Sequence, residues 1–92
     1  MAYLVTIWHH KPVYRNGDLE NDIVKEIECT FNKRKEAKDY IESRLDKLKN
    51  VKRWYHRSNT TSTCIGWTGK VWTNENTGEE CEEHYKFVIK KQ

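Results

Sequence analysis

Residues 32–50 read Asn-Lys-Arg-Lys-Glu-Ala-Lys-Asp-Tyr-Ile-Glu-Ser-Arg-Leu-Asp-Lys-Leu-Lys-Asn, and within them Ala37, Tyr40, Ile41, Leu45 and Leu48 recur at the spacing of one helical face. The other positions interleave Glu36, Asp39, Glu42 and Asp46 with Lys35, Lys38, Arg44, Lys47 and Lys49, which is the composition of a helix surface in water. Asn32 is placed to cap the start of this helix and Asn50 to stop it. A lone amphipathic helix must bury its stripe against something else, and every other patterned segment of the chain alternates with the period of a strand.

Upstream of the helix, Ile23, Ile27, Cys29 and Phe31 share one face of an expected strand, with Val24 and Lys25 breaking the alternation. Farther upstream, Asn16-Gly17 separates Val13-Tyr14-Arg15 from Asp18-Leu19-Glu20. Both residues tolerate positive φ, so the pair predicts a tight type I′ hairpin. The first segment, Tyr3 to His10, sets Tyr3, Val5 and Ile7 against Leu4, Thr6 and Trp8, a β-branched and aromatic strand apolar on much of both faces; Pro12 limits its regular pairing.

Downstream, Ser58–Ser62 and Asn74–Gly78 are polar turns dividing three further strands into a meander. In the middle strand Ile65, Trp67, Gly69 and Val71 share a face opposite Gly66 and Trp72, which places Trp67 in the expected core. In the last strand Tyr85, Phe87 and Ile89 face away from His84, Lys86, Val88 and Lys90. The expected fold is therefore α+β: an antiparallel sheet of about five strands, order ββαβββ, with one amphipathic helix on one face.

Ninety-two residues make a single domain with room for one modest core. Only 36% of the residues are hydrophobic, but 12% are aromatic, so the core is expected to be small and ring-rich. Cys29, Cys64 and Cys81 are odd in number and widely spaced, which fits free thiols in a reducing, cytoplasmic compartment. Met1 to Ile7 lacks the pattern of a signal peptide, and no run approaches the roughly 20 apolar residues that span a bilayer, so no membrane partner is expected.

Charge is unevenly spread. The chain carries a formal net charge of +3, yet residues 33–73 hold eleven Lys or Arg against four acids, and residues 74–85 hold five Glu and no Lys or Arg. Within this basic region, residues 51–73 contain no acid and three of the four tryptophans, Trp54, Trp67 and Trp72. Cations beside indoles supply both of the interactions an unpaired nucleic acid strand uses, attraction to phosphate and stacking on bases. Lys52, Arg53, Trp54, Arg57, Lys70 and Trp72 are accordingly the candidate binding residues, with Trp8 a further projecting indole. Trp, Tyr and Arg equally favour protein-binding hot spots. A solvated surface, or a second sheet face closed by the 12–22 connection or by a homodimer, would account for the same residues without a ligand.

No catalytic or metal site is expected. Cys81 and His84 are three apart, and on a strand an odd separation sends side chains to opposite faces. No nucleophile motif accompanies the cysteines or histidines, the glycines at 17, 66, 69 and 78 form no phosphate-cradling loop before a helix, and no cofactor is implied. In size, lone-domain build and lack of a catalytic signature the chain resembles the small accessory proteins of bacteriophages and mobile elements. That resemblance implies a non-enzymatic inhibitor binding a host nucleic-acid enzyme or defence complex. The residues themselves point to the alternative of direct binding to single-stranded nucleic acid.

Overall fold

The computed structural model describes residues 2–48 and 53–92, with the backbone alone at Arg53 and His56. Its elements run β1 (Tyr3–Arg15), β2 (Asp18–Phe31), α1 (Arg34–Leu45), β3 (Arg53–His56), β4 (Thr61–Thr73) and β5 (Glu80–Lys91). The five strands form one antiparallel sheet in the order β2-β1-β5-β4-β3. The ββαβββ order and the α+β class are those the periodicities predict. The last strand inserts between β1 and β4, and α1 carries the chain from the β2 edge to the β3 edge.

The β1–β2 turn is the one its sequence demands. Asn16 has φ 55° and Gly17 φ 84°, both in the left-handed region that a type I′ turn requires. Arg15 then sits opposite Asp18 and the ladder runs unbroken to the register shift between Ile7 and Trp8, where Glu26 is the extra residue of β2. This bulge corrects one expectation. It inverts the phase of β2, so Ile27, Cys29 and Phe31 pack around the core while Ile23, expected beside them, stands opposite His10 and is 57% exposed.

On α1, Ala37, Ile41 and Leu45 are buried four residues apart, as the 3.6-residue period predicts, and pack with Val5, Ile7, Cys64, Phe87 and Ile89. Tyr3, Ile27, Cys29, Phe31, Tyr40, Leu48, Trp54 and Tyr85 ring this core. The helix starts one residue later than expected: Lys33, not Asn32, is the N-cap, and no side chain caps it. The start is tied down instead by the Arg34 guanidinium, which donates to the Ser62 hydroxyl of β4. Leu48 N–H donates to the Leu45 carbonyl (2.9 Å) in a final turn, while Lys49 and Asn50 lie outside the described residues.

A side chain's absence positions this turn. A Cβ on Gly66 of β4 would come within 2.8 Å of Leu45 Cδ2 and 2.5 Å of Leu48 Cδ1, so the end of α1 rests where glycine leaves room for it. The helix thus lies on the Gly66 face of β4, which overturns the expected place of Trp67. The helix covers the side bearing Ser62, Cys64 and Gly66; Ile65 and Trp67, in register with Lys86 and His84, point the other way and are only half-buried.

Twelve helical residues span roughly 18 Å, whereas strands of 13 or 14 residues reach roughly 45 Å. The long axis of the molecule is 48 Å, so the helix covers only part of it. The β1–β5 ladder ends at His10–His84, whereas the β1–β2 and β4–β5 ladders continue to Arg15–Asp18 and Thr73–Glu80. Beyond the helix, then, two hairpin arms project. They meet through side chains: the Tyr14 hydroxyl donates to the Thr73 carbonyl (2.7 Å), Asn76 Nδ2 to Asp18 Oδ1 (2.8 Å) and the Cys81 thiol to Asn21 Oδ1 (3.3 Å), with Pro12 buried nearby. Residues 12–22 thus build an arm and do not close the second sheet face.

Candidate functional site

With one face under α1, the opposite face of the sheet is left uncovered, and cross-strand register arranges its side chains in rows. One row runs Lys25 (β2), Trp8 (β1), Lys86 (β5), Ile65 (β4); the next runs Ile23, His10, His84, Trp67. Toward the chain termini follow Glu28, Thr6, Val88, Thr63 with Tyr55, and then Thr30, Leu4, Lys90, Thr61. Trp8 and Trp67 are both half-buried, held on their flanks by neighbours but not capped by another layer. They lie two strands and two residues apart, roughly 12 Å.

The polar groups on this face are mostly cationic. Lys25 Nζ sits 5.9 Å from the Trp8 ring centre and 2.6 Å from Glu28, the only acidic side chain in these rows among the described residues. His10 and His84 stack with ring centres 4.3 Å apart and planes 17° from parallel, and Trp67 tilts against His84 at 6.4 Å. Burial, then the nearby charge of His84, Lys86 and His9, holds the His10 imidazole below its ordinary value of 6.5. At the β3 margin the Arg57 guanidinium lies 5.9 Å from the Tyr55 ring.

The helix side at this level is built differently. His9 is clasped by two carboxylates, Nδ1 at 3.0 Å from Glu26 and Nε2 at 2.6 Å from Glu83, and its ring stacks on Tyr85 at 4.3 Å. Glu83 is 5% exposed. The bulge at Glu26 turns that carboxylate toward His9, so one network ties β2, β1 and β5 where the arms diverge. Burial, reinforced by Glu26 and Glu83, pushes the Tyr85 phenol up. The groove alongside, between Ile7, Arg44, Leu48, Tyr85 and Phe87, holds about 160 Å³, below the range of small-molecule sites. Burial also pushes the Cys29 thiol up, away from the thiolate form that nucleophiles need. Among the described residues no group of three or more His, Cys, Asp or Glu is disposed to hold a metal, and no helix is long and apolar enough to cross a membrane.

The residues singled out by sequence do not form one site. Trp54 pairs in register with Cys64 on the helix side, where Lys38 Nζ lies 5.5 Å from its ring; it is part of the packing around the core. Trp72 lies eight residues farther along β4 than Cys64 and, because β4 is irregular between Trp67 and Val71, spans only the length of six residues of β5, roughly 20 Å. It packs edge-on against Tyr14 between the arms, with its indole N–H buried and without an acceptor among the described residues. Lys70 is exposed in the irregular stretch of β4 between Trp67 and Val71. Arg57 alone is seen at the margin of the open face. The Arg53 backbone occupies the register position beside Ile65, and Lys52 lies outside the described residues. The sequence marks Trp8 only as a further projecting indole, and Lys25, Lys86, His10 and His84 were missed because they lie outside the acid-free segment. The signal for them was alternation: even positions of β1 and β5 carry Trp, His and Lys, while odd ones carry Val, Ile and Phe.

Fold and site together define a small α+β domain with one sheet face partly covered by a helix and the other, among the described residues, without a covering helix and set with aromatic and cationic side chains. Compared with protein-family models, with curated proteins and with solved structures, the chain matches none.

Proposed function

We propose that the protein is a binding protein that holds single-stranded nucleic acid across its uncovered sheet face. The observation that carries this reading is the pairing of two uncapped indoles, Trp8 and Trp67, with Lys25, Lys86, Lys90 and a histidine pair, on a face where Glu28, the one carboxylate in these rows among the described residues, is already bridged by lysine. Every base presents a π-face to an indole, and lysines at cross-strand spacing follow a phosphate backbone without reading sequence. The roughly 12 Å between the indoles lets one extended strand reach both. The test is the anisotropy of a labelled oligothymidylate titrated at low and moderate salt. Trp67→Ala is expected to weaken binding by about 1–3 kcal/mol, and Lys86→Ala to lower the salt slope by about 0.7. Trp72→Ala should leave binding unchanged, and equal losses from Trp72→Ala and Trp67→Ala would refute this placement of the site.

A protein target is the second reading, and the β2 edge favours it. This 14-residue strand pairs only with β1, exposes Ile23 (57%) and Val24 (54%), and carries Asp18, Glu20, Asp22, Glu26 and Glu28 against Lys25 alone. An acidic, partly apolar edge suits a basic segment adding as a further strand, the kind of surface nucleic-acid enzymes present. Under this reading the protein inhibits a host nucleic-acid enzyme or defence complex. It predicts a stable complex recovered from bacterial lysate by the wild type and lost with Ile23→Lys/Val24→Lys.

A further inference from the structure

We propose that the stacked His10–His84 pair is a proton-linked phosphate station: the pair takes up a proton from solvent when a phosphodiester backbone crosses the open face, so that affinity rises as pH falls. This inference rests on the nucleic-acid reading given above and adds the group that regulates it. The geometry comes first. The two imidazoles lie in register on adjacent strands β1 and β5, face to face at 4.3 Å, between Trp67 on one side and the Trp8–Lys86 row on the other. A strand stacked on both tryptophans therefore passes over them.

The charges around the pair are unbalanced. From β5, His10 faces His84 and Lys86; from β2 its register partner is the apolar Ile23, with Lys25 one row away over Trp8; from β4 the neighbour is the uncharged Trp67. On its own strand His9 is engaged from the opposite face by Glu26 and Glu83. Glu82, two residues before His84, is the nearest carboxylate on the open side, and its carbonyl lies 3.2 Å from His84 Nδ1. Two imidazolium rings at this distance repel and Lys86 adds to the repulsion, which together with burial holds the His10 imidazole below its ordinary value in the free protein.

A phosphodiester changes that balance because it supplies the missing negative charge. The same rings, protonated, then donate N–H to phosphate oxygens, and the interaction is charge-assisted. The sign follows from linkage: if binding favours the protonated pair, the bound state carries more protons than the free state. Affinity then climbs as pH drops through the bound-state value toward the free-state one. One proton taken up gives at most about a tenfold change per pH unit. The window opens around and below the ordinary histidine value of 6.5.

The experiment measures the Kd of a labelled oligothymidylate at constant ionic strength between about pH 5.5 and about pH 8, the range in which histidine titrates. Calorimetry of the same titration, in buffers of different ionisation enthalpy, counts the protons bound. The expected result is several-fold tighter binding per unit of pH decrease with net proton uptake in the wild type. In His10→Gln and His84→Gln the pH dependence should flatten, the ratio of Kd between about pH 8 and about pH 5.5 falling toward one. Binding that is independent of pH, with no proton uptake by the wild type, would overturn the histidine station and leave the nucleic-acid reading standing. A slope that survives in the His10→Gln/His84→Gln double variant would assign the proton elsewhere and overturn it too. Absence of binding at every pH would remove the nucleic-acid reading itself. Calorimetry on the wild type keeps the test decisive even where a variant folds poorly.

Discussion

The two faces of this sheet are made by the same strands, residue by alternate residue, yet they solve opposite problems. Under α1 lie Val5, Ile7, Cys64, Phe87 and Ile89, each no more than 2% exposed, closed by three helical side chains. One peptide away on the same strands lie Trp8, Lys86 and Ile65, half-buried and open to solvent. The difference teaches that burial in a small domain is decided by coverage, not by hydrophobicity. Trp67 is among the largest apolar groups in the chain and stays on the bare side, while the small thiol of Cys64 is completely covered. The fully buried aliphatic side chains lie under the helix, while Trp8, Trp67 and Lys86 share the other face with half-buried or exposed aliphatics such as Ile65 and Ile23.

The sharpest way to break this contrast is to truncate neighbours on opposite faces. Phe87→Ala empties the closed side and is expected to cost about 3–5 kcal/mol in urea unfolding, whereas Lys86→Ala, the preceding residue, should shift stability by no more than about 0.5 kcal/mol. Comparable losses would show that the open face is packed against something in solution, a homodimer being the first suspect. Gly66→Ala probes the feature that assigns the helix to its side. The new methyl meets Leu45, which is 1% exposed, and Leu48, so an overpacking cost of about 1–3 kcal/mol is expected. An unaffected unfolding midpoint would mean that the end of α1 does not rest on β4. Tyr14→Phe asks the least of the molecule, removing only the hydroxyl that links the two arms to each other at Thr73. About 0.5–1.5 kcal/mol should be lost, with faster amide exchange at the arm tips and unchanged exchange under the helix. Uniformly faster exchange would show that arms and helix-covered half unfold as one unit.

Much of this architecture is readable before any coordinates exist. The type I′ turn follows from Asn16-Gly17, the helical stripe from Ala37, Ile41 and Leu45, and the opposite placement of Lys86 and Phe87 from alternation in β5. The candidate site was less legible. Enrichment along the chain drew attention to residues 51–73, but three dimensions keep Ile65 and Trp67 at the centre of the open face and distribute the rest of that segment over the helix side, the β3–β4 turn and a distal arm. The open face is instead assembled from β1, β2, β4 and β5, whose contributions look unremarkable one strand at a time.

What the sequence by itself determined are the periods: which residues form strands and helix, where the chain turns, and which side chains share a face. Those are set by local sterics and by a polarity pattern that repeats within a few residues. Only tertiary structure decided the sign of each face. Alternation says that Ile65 and Trp67 point together, but not whether toward helix or water, because that depends on which face of β4 the helix packs against, and it packs on the one where Gly66 leaves room for Leu45 and Leu48. The phase of Ile23 was likewise undecidable locally, since it reverses at the Glu26 bulge, which is defined by pairing with a strand some twenty residues earlier.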